Sequence, residues 1–171
     1  LNRVSMGVQS MNNEQLLRLG RVHNEEAVPR ALNEIFESGI SNASCDLLCG
    51  VPGQTISDLE LFITKLLKFP LNHISIYLLT LPPHHRMYKE LPSDEEQLAH
   101  LHYIHDRLNA EGFDHYEISN FGKPNYYSKH NTSYWKGKQY LGIGASAHSF
   151  DGKKIRKWNV LINGIEKNRV T

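Results

Sequence analysis

The stretch Ala43-Ser-Cys-Asp-Leu-Leu-Cys-Gly50 runs directly into Val51-Pro-Gly-Gln-Thr55, and the two segments begin one strand–loop–helix unit. The first segment is apolar and of strand length, and the Pro–Gly pair predicts a tight turn. Beyond the turn, apolar residues recur at helical spacing, at Leu59, Phe62, Ile63, Leu66 and Leu67. A strand that passes through a short loop into an amphipathic helix is typical of a parallel sheet covered by helices.

The same alternation of strand and helix continues on both sides of this unit. Upstream, the segment Arg3–Gln9 alternates apolar and polar residues, which predicts a strand whose polar face includes Gln9. The other predicted elements are a short helix ending near Gly20, a helix from Asn24 to Gly39, a strand from His73 to Leu81, a helix from Asp94 to Glu111, and two strand candidates, His115–Phe121 and Tyr140–Phe150, separated by an irregular segment from Lys123 to Tyr140.

These units predict an α/β fold. No Gly-rich dinucleotide-binding fingerprint follows the first strand, so a partial (β/α) barrel is favoured over a Rossmann domain. A doubly wound sheet, with helices on both faces, remains the alternative.

The composition gives no reason to expect a nucleic-acid or membrane partner. Lys and Arg total 19 against 18 Asp and Glu, so the net charge of +1 leaves no basic footprint for nucleic acid. The longest apolar stretch, Ile74–Leu81, is less than half of the roughly 20 residues that a membrane-spanning helix needs. We therefore expect a soluble cytoplasmic protein. Because the sequence starts at Leu1 without Met and leads directly into a strand, we also expect it to be a fragment of a longer protein.

Polar residues at the predicted strand ends are the first candidates for a ligand site, because parallel β/α proteins bind ligands beyond the carboxyl ends of their strands. Gln9 and Thr80 close two strands, Asp46 lies within the strand between them, and Arg21 follows a short helix that could return over the same opening. An amide, a guanidinium, a carboxylate and a hydroxyl around one opening suit a zwitterion attached to a ribose, such as S-adenosylmethionine (SAM). The alternative is a structural Arg21–Asp46 ion pair with capping roles for Gln9 and Thr80.

Neither the two cysteines nor most of the histidines are predicted to bind a metal or a ligand. Cys45 and Cys49 alternate with Asp46, so both thiols face a helix and are not expected to ligate an iron–sulfur cluster. Three histidines fall off the apolar stripe of the predicted helix Asp94–Glu111 and are expected at the surface: His100, His102 and His105.

His130 is the exception, because it lies in His130-Asn-Thr-Ser-Tyr-Trp135 beside two large aromatic residues. Aromatic walls with one axial imidazole would suit a flat, apolar porphyrin. The alternative is that Tyr134 and Trp135 are core residues and His130 only hydrogen-bonds a loop.

Several motifs, taken together and in order, resemble one known family. Three of them are similar to the radical SAM family of oxygen-independent coproporphyrinogen III oxidases: Asn2–Ser10, Leu19-Gly-Arg21 with His23, and Asp46–Thr55. Three more look like the HemW-type haem chaperone branch of that family: Tyr116–Phe121, His130–Trp135 and Tyr140–Ser149.

The resemblance implies roles for particular residues. Gln9, Arg21 and Asp46 match positions that contact SAM, and Thr80 falls where a further contact is expected. Three residues match the branch-specific histidine–aromatic motif and acquire a haem-related role: His130, Tyr134 and Trp135. The implied fold is part of a radical SAM (β/α) barrel in residues 1–112, followed by a small α+β extension in residues 113–171.

The resemblance also implies a function. The implied function is that of a chaperone that binds haem and passes it to an acceptor protein, with SAM and a [4Fe–4S] cluster as cofactors. A membrane-associated respiratory protein is a candidate for the acceptor. The alternative is the oxidase, which decarboxylates coproporphyrinogen III, so whether the protein is an enzyme stays open. The family's C-x3-C-x2-C cluster motif does not occur in this sequence. We therefore expect the cluster cysteines to lie upstream of this sequence. We also expect this chain alone to be inactive.

Overall fold

The structure is a computed structural model that describes residues 1–153 and the backbone of two further strands, at 156–162 and 165–170. The chain forms two compact units, Leu1–Tyr127 and Ser128–Thr171. The division expected from the sequence, at residue 112, falls within the first of these units, and the assignment of barrel and extension to residues 1–112 and 113–171 stays a prediction.

The first unit contains five strands and four helices in the order β1 (Val4–Gln9), α1 (Asn13–Arg18), α2 (Ala27–Glu37), β2 (Ala43–Cys49), α3 (Ile56–Leu66), β3 (His73–Leu78), α4 (Asp94–Ala110), β4 (Asp114–His115) and β5 (Asn120–Gly122). The five strands form one sheet in the order β1-β2-β3-β5-β4. The first three strands are parallel, whereas β5 is antiparallel to both β3 and β4.

One face of the sheet is covered by helices and holds the core. Cys45, Leu47 and Cys49 of β2 are fully buried there, against apolar residues of α2, α3 and α4 that include Leu32, Leu59, Phe62, Ile63, Ile104 and Leu108. Because these three helices pack on the same face, the doubly wound alternative is wrong and the partial (β/α) barrel is confirmed.

The opposite face, here called the open face, carries Ser5 and Gly7 of β1, Asp46 of β2 and Tyr77 of β3. The strand register places these residues on one side of the sheet, and all four are exposed or half-buried. The open face therefore contains the polar strand residues that the sequence singled out.

The second unit contains α5 (Lys129–Trp135) and a three-stranded antiparallel sheet. Its strands are β6 (His148–Phe150), β7 (Arg156–Ile162) and β8 (Ile165–Val170), in that order. The prediction that Lys123–Tyr140 is irregular was therefore wrong in part, because the segment contains α5. Ser128 caps this helix, since its hydroxyl accepts a hydrogen bond from Asn131 N.

Two predicted strands are shorter than expected. The segment His115–Phe121 forms two short strands joined by a turn. Tyr140–Phe150 is a strand only at its end, where Tyr140 pairs with Phe150 across a loop of small residues. The structure places Thr80 two residues beyond the end of β3.

None of the helices among the described residues has both the length and the apolar character that crossing a membrane would require.

Candidate functional site

Gln9 ends β1 in an unusual backbone conformation. Its φ is 71°, and Ser10 N donates a hydrogen bond of 2.9 Å to Val8 O. A hydrogen bond between residues i and i+2 around a positive φ defines the classic γ-turn, which is rare and strained. Strain of this kind costs about 1–3 kcal/mol and is concentrated at functional sites. The conformation at Gln9 is therefore held by its surroundings rather than by local preference.

The Gln9 side chain turns back over Gly7. A Cβ added to Gly7 would come within 2.8 Å of Gln9 Nε2, so the amide occupies the space that the missing side chain leaves on the open face. Gly7 is paired with Asp46 on the neighbouring strand, so Gln9 and Asp46 present their polar groups on the same face.

Asp46 lies at the centre of the open face, between β1 and β3. Ser5 Oγ donates a hydrogen bond of 3.3 Å to its Oδ1, and Ser75 also hydrogen-bonds the carboxylate. Burial raises the pKa of Asp46, and the two serines and the Arg3 guanidinium oppose that shift. A half-buried carboxylate with only neutral donors in contact keeps acceptor capacity for a ligand.

Arg21 is placed by the end of α1. Gly20 adopts a φ of 68°, Gly20 N bonds Leu17 O, and Arg21 N bonds Leu16 O. This is a Schellman motif, which reverses the chain direction directly after a helix.

Arg21 borders a cavity of about 360 Å³ together with Leu48, which lies two residues after Asp46 on the same strand. The cavity combines basic and apolar side chains: Arg18, Arg21, His85, Arg86, Leu48, Leu79, Leu81 and Met87. Among residues 1–153, no ion pair joins Arg21 to Asp46, so the alternative of a structural pair is wrong.

Thr80 lies between two residues that line this cavity, Leu79 and Leu81. Its side chain is exposed, and its hydroxyl donates a hydrogen bond of 3.3 Å to Leu78 O. The structure therefore places Arg21 and Thr80 beside one cavity, and Gln9 and Asp46 on the open face.

The second unit presents a group of exposed aromatic residues on and beside α5. His130 Nε2 and Tyr134 OH are 2.9 Å apart, and the Tyr134 ring packs edge-on against Tyr140 with their centroids 4.7 Å apart. Tyr134 is 46% exposed and Trp135 is 58% exposed, so the alternative that these two are core residues is wrong.

The sequence of this chain is similar to those of several known proteins. Residues 1–66 match the model of the radical SAM superfamily. Over 157 residues, 88% of this chain, it is 38% identical to a protein of Lactococcus lactis named heme chaperone HemW, and over 159 residues it is 37% identical to the HemW of Bacillus subtilis.

The chain is therefore similar over most of its length to proteins named heme chaperone HemW, and its first 66 residues are similar to the radical SAM superfamily. It covers 41% and 42% of the lengths of these two relatives, so it spans about two fifths of the proteins it matches.

The fold is also that of a solved radical SAM enzyme. The structure of coproporphyrinogen III oxidase (HemN) from Escherichia coli matches 94% of this chain and 41% of its own length, with a TM-score of 0.77 at 24% identity. At that identity the likeness shows the fold alone.

The two cysteines of this chain do not fit an iron–sulfur cluster. Burial raises the pKa of Cys45 to about 12 and that of Cys49 to about 11, whereas a cluster ligand must be a thiolate. Among residues 1–153, no three His, Cys, Asp or Glu side chains lie close enough together to hold a metal ion. The prediction that both thiols pack against helices is confirmed by the complete burial of both residues.

Two polar features of this site were not predicted from the sequence. Gln54 fixes the loop after β2, since its Oε1 accepts from Gly50 N at 2.8 Å and its Nε2 donates to Leu48 O at 3.0 Å. The Pro–Gly pair predicted a loop at this position, but not the two hydrogen bonds by which Gln54 holds it.

The second missed feature is a hydrogen-bonded chain at the start of β2 and β3. Ser44 Oγ lies 2.8 Å from His73 Nδ1, and His73 Nε2 lies 2.7 Å from Tyr116 OH. Its members are 29 and 43 residues apart in sequence, so no local pattern reveals it.

Proposed function

We propose that this chain works as part of a radical SAM haem chaperone, which binds haem and passes it to an acceptor protein. The observation that carries the proposal is the 38% identity to a HemW heme chaperone over 88% of the chain. A match of that length extends into both compact units, so it includes β2 and β3 of the open face as well as α5. The oxidase alternative has support only from the shared fold.

The residues on α5 suit haem. The hydrogen bond with Tyr134 orients the imidazole of His130, and an oriented imidazole is the usual way in which a protein prepares a metal ligand. Nδ1 of His130 has no hydrogen-bond partner within residues 1–153. Exposed Tyr134 and Trp135 offer the flat apolar surface that a porphyrin ring needs.

The residues of the first unit suit SAM. Arg21 would bind the carboxylate of the amino-acid group, because a guanidinium recognises carboxylates bidentately. Asp46 would accept hydrogen bonds from ribose hydroxyls or from the ammonium group, and Gln9 and Thr80 would add polar contacts. When bound, SAM would supply the sulfonium and the adenosyl group that radical SAM chemistry uses.

Haem titration tests the chaperone proposal. Hemin is added to the purified chain while the Soret band is followed, in parallel with the variants His130→Ala and His102→Ala. His102 is the matched control, because it is an exposed histidine in the first unit. We expect saturation near one equivalent for the wild type and His102→Ala, and a loss of affinity of at least tenfold for His130→Ala. A Soret band that never saturates in the wild type would exclude the proposal.

A further inference from the structure

His23 lies next to the γ-turn at Gln9, and the proposed function gives this histidine no role. Its Nε2 is 3.1 Å from Val8 O, the same carbonyl that accepts the hydrogen bond of the turn from Ser10 N. A carbonyl oxygen can only accept, so Nε2 carries the proton in this contact. The imidazole therefore donates the second of two hydrogen bonds to the residue that precedes Gln9.

The residue that follows Gln9 is held as well. Ser10 Oγ donates a hydrogen bond of 2.7 Å to Gln15 Oε1 and accepts one of 3.0 Å from Asn12 N. Ser10 and Gln15 are both buried. Gln9 is thus fixed on one side by His23 and on the other by α1.

These contacts leave the Gln9 amide available for a ligand. It is only 8% exposed, it lies over Gly7, and its side chain makes no hydrogen bond within residues 1–153. Within residues 1–153, the fully buried polar side-chain atoms that lack a partner do not include those of Gln9, so its amide donor and acceptor stay accessible and can form hydrogen bonds to a ligand. A bound molecule with both donors and acceptors would supply those hydrogen bonds.

We propose that His23 is a positioning residue: it holds the strained turn that presents the Gln9 amide on the open face, while Gly7 provides the space that the amide occupies. The ligand class is a nucleoside or amino acid with donors and acceptors at one edge. The inference rests on the proposed SAM site for the identity of that ligand, and on the geometry of β1 for the role of His23.

The test measures binding of S-adenosylhomocysteine, a stable analogue of SAM, to the 171-residue chain by calorimetry. His23→Phe removes the N–H donor, His23→Gln keeps one at a similar distance, and His102→Phe is the exposed control. We expect His23→Phe to weaken binding about tenfold and His23→Gln to restore it to within about threefold of the wild type. Gly7→Ala should weaken binding by a similar factor, because its Cβ displaces the amide.

A double variant separates positioning from general damage to the fold. If His23 acts through Gln9, then His23→Phe has no further effect on binding in a Gln9→Ala background. Equal losses in both backgrounds would overturn the inference.

Hydrogen exchange keeps the inference testable if the wild-type chain does not bind the analogue. That result would count against the proposed SAM site alone. The role of His23 is then judged by the Ser10 amide, whose protection in the ligand-free chain should fall in His23→Phe and persist in His23→Gln. Unchanged protection in His23→Phe would refute the role of His23 whatever the binding result.

Discussion

Acidification is expected to destabilise the first unit through one buried histidine. His73 has no exposed surface and lies between Ser44 Oγ and Tyr116 OH, which are both in hydrogen-bonding distance of its ring nitrogens. Burial, reinforced by the Arg3 guanidinium, lowers the pKa of His73 to about 3. The imidazole is therefore neutral in the folded chain across the whole range in which proteins are usually studied.

The sign of the effect follows from proton binding. An unfolded chain protonates this histidine near pH 6.5, whereas the folded chain does so only near pH 3. Between these values the unfolded state binds the extra proton, so stability falls as the pH falls. Between pH 7.5 and pH 5.0, linkage gives a loss of about 2 kcal/mol in the free energy of unfolding from this residue alone.

Urea denaturation at a series of pH values measures this loss. Far-UV circular dichroism is the appropriate signal, because it reports on α2, α3 and α4 of the first unit. His73→Gln removes the titrating group but keeps hydrogen-bonding capacity, and His102→Gln is the matched control for an exposed histidine. We expect His73→Gln to be less stable at pH 7.5 and to lose about 2 kcal/mol less than the wild type on going to pH 5.0.

The reasoning fails if His73→Gln and the wild type show the same pH dependence. It also fails if His102→Gln flattens that dependence as much as His73→Gln does.

Three further predictions follow from other residues. Asp46→Asn should weaken binding of S-adenosylhomocysteine without lowering the free energy of unfolding at pH 7, because burial already disfavours the charged carboxylate; calorimetry and urea denaturation measure the two effects, and a clear loss of stability would contradict it. Thr55→Ala removes the capping box that Thr55 and Asp58 form at the start of α3, and should cost about 1 kcal/mol in urea denaturation, whereas no loss would mean that the box is not formed. Cys45 and Cys49 should react with Ellman's reagent only after unfolding, since both are fully buried and burial raises their pKa values; fast reaction of the native chain would show that this core opens.

The sequence predicts those parts of the fold that local periodicity determines. The alternation in Arg3–Gln9 corresponds to β1, which begins one residue later, and the apolar stripe that starts at Leu59 falls on α3. The same alternation predicts Asp46 on the polar face, whereas the register shift after Gly7 pairs Gln9 with the buried Leu47, so the Gln9 amide reaches the open face through the turn.

The γ-turn at Gln9 could not be predicted in this way. A positive φ at a residue other than glycine is unfavourable locally, and here it depends on His23 and Gln15, which come from later elements. The role of His23 is visible only once β1 and the loop between α1 and α2 are brought together.

The prediction for His100 was wrong for a different reason. His100 is only 6% exposed, while Leu98 is 52% exposed, so the buried stripe of α4 consists of His100, Ile104 and Leu108 at intervals of four residues. The apolar residues alone indicated a stripe rotated towards Leu98. Residue type alone is a poor guide to the exposure of a histidine, because a neutral imidazole at the correct helical spacing can pack in a core.

The most direct test of the haem assignment is resonance Raman spectroscopy of ferrous haem bound to the chain. The account predicts an iron–histidine stretching band in the wild type and in His102→Ala, and its loss in His130→Ala. A band that persists in His130→Ala would contradict the assignment of His130 as the residue that holds the haem iron.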